Sequence, residues 1–530
     1  MPSLPPLDIV LGSGHAGVGA ASALVARGRR VLLLDAGEDI DPASARLRDR
    51  LGAVEPPQWD PADVDALVAP RRRERSDTMR PYGSGHLFRR PAGMPPWTED
   101  GSAHRLQPSF ATGGLSNAWG ASVLPYRDAD LDDWPLAAVD LAPHYAAVAP
   151  LLHIRARDDD LAAAFPLYGA LPADALPLSS QASEVLDRLQ ARRGTLRRLG
   201  VVAGQSRQAI AAPCRLCALC LHGCPYRLIF NAADVVGALA AGGGLIHAPG
   251  VVAVRFTEEH DGVRIATRDA RTGEPGEFFG ARLYVAAGVI PTALLVLDSI
   301  DRPGERVLLQ DTQHLYLPLL HGWRAPVDPA REPRHALAQI FMEIEDPHVS
   351  RHTAHVQLYT HNDTFAPDMR LRFGRMAPAL ERMVQQLSRR LIVAQAFLHS
   401  RESPAIAVRL QRGAGGARLA FEVVANETSA GVLARVKRRV ARVALLAGLA
   451  PLLPLARAGL PGSSFHCGGT FPMRRSPVGL ETDLLGRLPG LQRVHLVDAS
   501  VFPSIPATTI AFSAMANAHR IAAAAAGLDG

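Results

Sequence analysis

A short apolar strand, Asp8 to Leu11, runs into the turn Gly12-Ser13-Gly14-His15-Ala16-Gly17. An Ala-rich helical stretch to Arg27 then leads to a second strand, Val31 to Leu34, which ends at Asp35. Strand, glycine turn, helix and terminal acid together form the dinucleotide-binding fingerprint and demand an α/β fold. Gly12 permits the tight turn, Gly14 lets the backbone approach a pyrophosphate, and Gly17 lets the helix pack on the strand. The helix N-terminus turns its positive dipole end toward the phosphates. Asp35, 18 positions past Gly17, is placed to bond a ribose hydroxyl. The fingerprint serves FAD and NAD alike.

A second motif bears on electron flow. Four of the five cysteines, Cys214, Cys217, Cys220 and Cys224, fall within 11 residues and are followed by Pro225. The spacing C-x2-C-x2-C-x3-C-P is that of ferredoxin iron–sulfur ligands. Disulfides belong to small secreted scaffolds, and structural zinc takes two more widely separated pairs. With no second run in the chain, either Cys224 completes a 4Fe-4S cluster or three cysteines hold a 3Fe-4S one. Cys467 is a remote alternative ligand.

The bulk properties exclude several classes. A length of 530 residues with 48% hydrophobic and 20% charged residues points to two interleaved globular domains. The net charge is +6, but Lys437 is the only lysine and the arginines are dispersed, without the basic, aromatic-interleaved runs of nucleic-acid binders. No stretch of eighteen apolar residues predicts a membrane span, and Met1 to Pro6 has no basic or apolar leader. These features predict a cytoplasmic enzyme.

Three further segments carry a family likeness: Gly113-Gly114-Leu115-Ser116-Asn117-Ala118-Trp119-Gly120, then Val285-Ala286-Ala287-Gly288, then the C-terminal stretch from Phe465. In the last, Phe465-His466-Cys467-Gly468-Gly469-Thr470 precedes Met473, and Val497-Asp498-Ala499-Ser500-Val501-Phe502-Pro503 leads into an Ala-rich helix with Met515. In order and spacing these resemble the glucose–methanol–choline (GMC) family of FAD-dependent oxidoreductases. The cysteine run resembles that of a bacterial branch of the family.

The resemblance implies FAD as cofactor, with Gly113, Gly114, Ser116 and Asn117 along its pyrophosphate and isoalloxazine. Asp498 and Ala499 would stand at the ribityl–pyrophosphate region, and Thr508 on the loop closing over the pyrimidine edge. Ala118 occupies the position where some members attach flavin through histidine, so the resemblance implies non-covalent FAD. His466 matches the catalytic base, and an imidazole titrates where an alcohol proton can be accepted. The second His or Asn of the family falls at Thr509, whose hydroxyl can orient a substrate oxygen but is a poor base. His519, in the last helix, reads as structural.

Between Asp301 and Pro454, strands are predicted at Val307 to Leu320, His335 to Ile344, His355 to Thr360, Leu391 to His399 and Ala405 to Leu410, without intervening helices, hence an antiparallel sheet. An amphipathic helix is predicted from Thr428 to Leu446, and Val443 to Leu455 reads as a buried helix end and turn. The expected organisation is an FAD-binding domain begun in 1–130, with an irregular excursion over 37–108. A connecting segment follows over 131–212, then the cysteine run and domain return over 213–300. A substrate domain spans 301–460, and 461–530 brings back the FAD-binding domain with His466.

The function expected is oxidation of an alcohol by hydride transfer to FAD, with electrons passed through the cluster to a protein or quinone. The alternatives are a ferredoxin-fed reductase of C=C or C=O groups and a non-catalytic flavoprotein.

Overall fold

Five parallel strands carry the dinucleotide fingerprint. Their spatial order is Leu245–Pro249, Arg30–Asp35, Leu7–Leu11, Arg282–Val285 and Val494–Leu496. The computed structural model describes residues 7–73, 80–92, 94, 104–169, 175–322, 328–362, 364–366, 369–370, 374–413 and 416–529. Met1 to Pro6 and parts of the excursion after Gly37 (74–79, 93, 95–103) lie outside them. Ile9 to Leu11 and Val31 to Leu34 are apolar without a break and buried, because both faces of a parallel sheet are covered. Helices His15–Val25 and Ala511–Ala526 supply one cover. Strand order reverses beside Leu7–Leu11, and the crevice at the carboxyl ends of such strands is where this fold class binds ligands.

A second sheet is antiparallel. Its order is Leu449–Pro451, His314–His321, Leu391–Phe397, Ala354–Tyr359, Ile340–Ile344 and Val201–Gln205, with Arg457–Ala458 also pairing His314–His321. Its strands alternate. Leu315, Leu317 and Leu319, with Ile392, Ala394 and Ala396, pack in one apolar cluster with Val432, Val436 and Val440 of helix Ser429–Leu446. The alternate residues of the same strands point to the other face, where the cavity lies.

Four expectations change, the first being that helix Glu381–Ser388 intervenes between strands Ala354–Tyr359 and Leu391–Phe397, where no helix was expected. The single strand expected over Val307 to Leu320 is two, Arg306–Asp311 and His314–His321, which enter different sheets. Arg306–Asp311 joins Ala405–Gly413, Gly416–Val424 and Cys467–Gly468 instead of the substrate-side sheet. The break falls where Asp311 turns its carboxylate into the Gly462–Cys467 loop, while Gln313 is held by Ser403 and Ser429. The excursion after Gly37 contains two helices, Pro42–Gly52 and Pro61–Arg73, the first capped by Asp41 accepting from the Ser44 N–H at 2.9 Å. Their Leu47, Leu51, Leu67 and Val68 bury Leu219 of the cysteine loop. After helix Ser429–Leu446, the chain forms a short edge strand, Leu449–Pro451, before turning.

Among the described residues, no helix is long and apolar enough to cross a membrane.

Candidate active site

One continuous cavity of about 2720 Å³ lies between the two sheets. A pocket for a single drug-sized ligand holds roughly 300–1,000 Å³. This cavity therefore has room for a large cofactor and a substrate together.

At its dinucleotide end, the two glycine turns meet. Gly12, Ser13, Gly14 and His15 form one wall, and Gly114, Ser116, Asn117 and Ala118 another. Gly17 stands behind the wall: a Cβ there would lie 1.9 Å from the Gly12 carbonyl oxygen, so only glycine lets helix and turn close. Gly113, at φ +86°, is also set back, and its Cβ would lie 2.5 Å from Asn231 Oδ1. Helix His15–Val25 starts at Gly14 without a side-chain cap, which leaves its first N–H groups for a ligand.

Asp35 lines the cavity, but its oxygens are engaged. Oδ2 accepts from the Ser13 N–H and hydroxyl, and Oδ1 from the Gly37 N–H at 2.6 Å and the Thr112 hydroxyl at 3.4 Å. A carboxylate offers about four lone-pair sites. The Ser13 hydroxyl in turn accepts from the Gly113 N–H at 2.7 Å. Asp35 thus ties the two glycine turns together, and a ribose hydroxyl would share an occupied carboxylate.

Ser116 and Asn117 build the second turn. Ser116 Oγ donates to the Gly113 carbonyl at 2.6 Å and accepts from the Ala232 N–H at 2.8 Å, while Asn117 Nδ2 donates to the Thr112 and Gly114 carbonyls. Asn231, which caps helix Ala232–Ala241, donates to Asn117 Oδ1 at 3.0 Å. Its role was not evident from the sequence, although an Asn before an Ala-rich run is a helix-start signal.

Asp498 and Ala499 also line the cavity. The Asp498 carboxylate accepts from the Gly288 N–H, the Thr292 hydroxyl and the Ser500 N–H, joining the Val285–Gly288 segment to the C-terminal loop. Thr508 is buried and does not reach the cavity wall, whereas Thr509 does. Thr509 Oγ1 accepts from the Leu124 N–H at 2.8 Å, which leaves its own proton to donate.

At the far end, His466 lines the cavity and stacks on Phe397, with ring centroids 5.0 Å apart. The sheet register places His314, Phe397, His355 and Glu343 side by side on four adjacent strands. The His466 ring therefore lies over the centre of a cross-strand row with a histidine on each flank. Burial, reinforced by His355 and His314, lowers the His466 pKa from 6.5 to about 3, so the imidazole is neutral. Its Nδ1 is buried without a hydrogen-bond partner among the described residues.

The backbone of His466 is fixed from behind. Asp311, 1% exposed, accepts from the Gly462 N–H at 2.7 Å and from the Ser464 hydroxyl; Ser464 Oγ accepts from the His466 N–H at 2.9 Å. The Cys467 thiol donates to Asp311 at 3.5 Å, and Phe465 is held at φ +60°. Asp311 and Ser464 carried no motif and could not be found from sequence.

From the row, a polar chain runs along strand Ala354–Tyr359. His355 Nδ1 and Glu343 Oε1 lie 2.7 Å apart, Gln357 Nε2 lies 3.1 Å from His355 Nε2, and the Tyr359 hydroxyl donates to Gln357 Oε1 at 2.7 Å. Glu343 is fully buried, and burial raises its pKa.

The cysteine run forms a loop pinned to the excursion by the Tyr82 hydroxyl, which donates to the Cys224 carbonyl at 3.0 Å. All four thiols are free, and Cys220 and Cys224 stand in the cavity wall. Burial pushes the Cys217 thiol up to about 12 and Cys220 upward too. Among the described residues, however, no three His, Cys, Asp or Glu side chains are arranged to hold a metal ion. The four ligands expected from the spacing are neighbours, but their side chains form no ligand set. His519 belongs to another cluster, its Nδ1 2.9 Å from His144 Nδ1.

A Rossmann-type parallel sheet facing an antiparallel sheet across one cavity defines the class: an α/β fold with an added antiparallel sheet. Within that class, the fold is similar to the crystal structure of pyridoxine 4-oxidase from Mesorbium loti, with a TM-score of 0.58 and 17% sequence identity over 97% of this chain and 98% of that one. No family model and no curated protein matches the sequence.

Proposed function

We propose that the chain is a GMC-type, FAD-dependent oxidoreductase that oxidises an alcohol, with His466 as the base. The observation that carries this reading is the position of His466, on the wall of the same cavity that the glycine turns line. The likeness in fold to a protein named as an oxidase supports it.

Gly12, Gly14, Gly114, Ser116, Asn117, Asp498 and Ala499 would hold FAD, which when bound would supply the hydride acceptor. His466 accepts the hydroxyl proton of the substrate as hydride leaves the carbon. Thr509, whose oxygen is fixed by the Leu124 N–H, orients the substrate oxygen with its remaining proton. Phe397 holds the plane of the imidazole, and Asp311 with Ser464 holds its backbone. Ala118 offers no atom for a covalent flavin bond, so the cofactor is released on denaturation.

The cysteine spacing, together with Cys220 and Cys224 in the cavity wall, supports an iron–sulfur cluster as the exit for electrons to a protein or quinone acceptor. The side chains as arranged make no ligand set, and the chemistry at His466 stands independently of it.

The test is anaerobic: purified protein is examined for released flavin and mixed with a panel of alcohols, with and without an artificial acceptor. Flavin bleaching by an alcohol supports the reading. Protein that neither carries nor rebinds flavin overturns it, and bleaching only by a reduced ferredoxin-type donor favours the reductase.

A further inference from the structure

The register of the antiparallel sheet sorts the cavity floor by polarity. Nearest His466 is the row His314–Phe397–His355, and next along the strands comes Tyr316–Gln395–Gln357. Pro318–Val393–Tyr359 follows, and then Leu320–Leu391. From the first row to the last is six residues, roughly 20 Å at about 3.4 Å per residue. Among the sheet's own strands, polar side chains thus crowd the His466 end; beyond Tyr359, Asn362 and Thr364 also line the cavity, the Thr364 hydroxyl donating to Asn362 Oδ1 at 2.5 Å.

Their polarity is committed internally as well. Gln395 Nε2 donates to the Tyr316 hydroxyl at 3.1 Å, and the Tyr359 hydroxyl donates to Gln357. Of the described residues that the sheet's strands contribute to the cavity wall, only Arg457 is charged, and it is exposed on the edge strand. Among them no carboxylate lines the wall to hold a cationic substrate, because Glu343 is sealed beneath His355.

The apolar end continues outward. Leu387, on helix Glu381–Ser388, and Leu452, whose N–H donates to the Pro318 carbonyl at 2.9 Å, extend the wall. Next to Leu452, Leu455 also lines the cavity and is 43% exposed to solvent. Large apolar side chains left at a cavity rim mark a route for an apolar ligand.

We propose that this site takes an uncharged amphiphile whose hydroxyl meets His466 and whose unbranched apolar body lies along the sheet toward Leu320 and Leu391. This rests on the reading of His466 as the reactive end. It excludes sugars and polyols, whose hydroxyls would lie unpaired against Val393, Leu320 and Leu391, a costly arrangement. A quaternary-ammonium alcohol would meet no carboxylate on the sheet's strands, only the rings of Phe397, Tyr316 and Tyr359.

The experiment uses the flavin-loaded enzyme, n-alkanols of increasing length, glucose, a quaternary-ammonium alcohol, and n-alkanamides as ligands that cannot be oxidised. The kcat/KM for flavin reduction is expected to rise roughly three- to fourfold per methylene. The amides should perturb the flavin spectrum with a parallel gain in affinity. Leu391→Gln, or Leu320→Gln should the first fail to fold, should flatten both dependences. Glucose or the ammonium alcohol outpacing the longest alkanol overturns the proposal, as do amides that fail to bind at any length. Amides that bind in proportion to length while no alcohol bleaches the flavin support the amphiphile site and overturn the oxidation chemistry instead.

Discussion

His466 lies stacked on Phe397, and the two rings are brought together by separate parts of the fold: Phe397 from the antiparallel sheet, His466 from the loop that returns the chain to the dinucleotide domain. His466 and its aromatic platform are therefore brought together by packing between two sheets' connections. The backbone of that loop depends on Asp311.

Asp311→Asn replaces one acceptor oxygen by an NH2 group that must face a donor. The cost should be about 1–3 kcal/mol for the unsatisfied group, read as a lower Tm. Because the glycine turns are untouched, flavin content should be unchanged while flavin reduction slows. Ser464→Ala should act in the same direction and more weakly. A variant with wild-type reduction rates would show that the loop needs no such anchor.

Gly17→Ala puts a methyl group 1.9 Å from the Gly12 carbonyl oxygen. The helix must back away from the turn, and overpacking of this kind costs roughly 1–3 kcal/mol. Flavin content after purification should fall sharply, with a lower Tm. Gly14→Ala, where a Cβ meets no protein atom within 4 Å, should leave Tm nearly unchanged and weaken flavin binding alone.

Acid should destabilise the protein. Among the described residues, burial lowers His399 and His466 to about 3, and His15, His144, His314, His335, His495 and His519 to about 4. An unfolded histidine takes up its proton near pH ~6.5. Between that value and about 4 the unfolded chain binds more protons than the folded one, so stability falls as pH falls. Asp35, Asp159, Asp311, Asp498 and Glu343 shift upward and work the opposite way, but they are fewer. His144 and His519 titrate as a pair. Melting curves should show Tm dropping steadily from neutral pH toward about 4.5, and a flat or rising Tm would contradict this.

Iron and acid-labile sulfide, measured on protein purified without oxygen from iron-replete cells, test the cysteine run. Both are expected in amounts stoichiometric with the chain, and Cys217→Ser should remove them while flavin remains. Their absence from the wild-type protein would mean that the free thiols of the structure are the working state and that electrons leave the flavin by another route.

The dinucleotide end was largely legible because its determinants are local. Gly12, Gly14 and Gly17 answer to one turn, and the apolar runs in Leu7–Leu11 and Arg30–Asp35 answer to one sheet. The place of His466 in the cavity wall was legible through its motif, which spans a few residues. Asp311, Asn231 and the Glu343–His355–Gln357–Tyr359 chain were not, because each acts on a partner it meets only in the fold and carries no spacing signature. Arg306–Asp311 and His314–His321 merged in the sequence reading for the same reason: Thr312 and Gln313 break the strand through tertiary bonds, not through Pro or Gly. The cysteine spacing shows the converse limit, since a ligand motif fixes which residues are near one another but not whether their side chains converge.

The most direct measurement of the central claim is the rate of anaerobic flavin reduction by an alcohol in the wild type and in His466→Gln, with flavin content measured in both. Loss of a general base should slow the step by roughly 10²–10⁴-fold while bound flavin stays the same. A glutamine variant that reduces its flavin at the wild-type rate would contradict the assignment of His466 as the base.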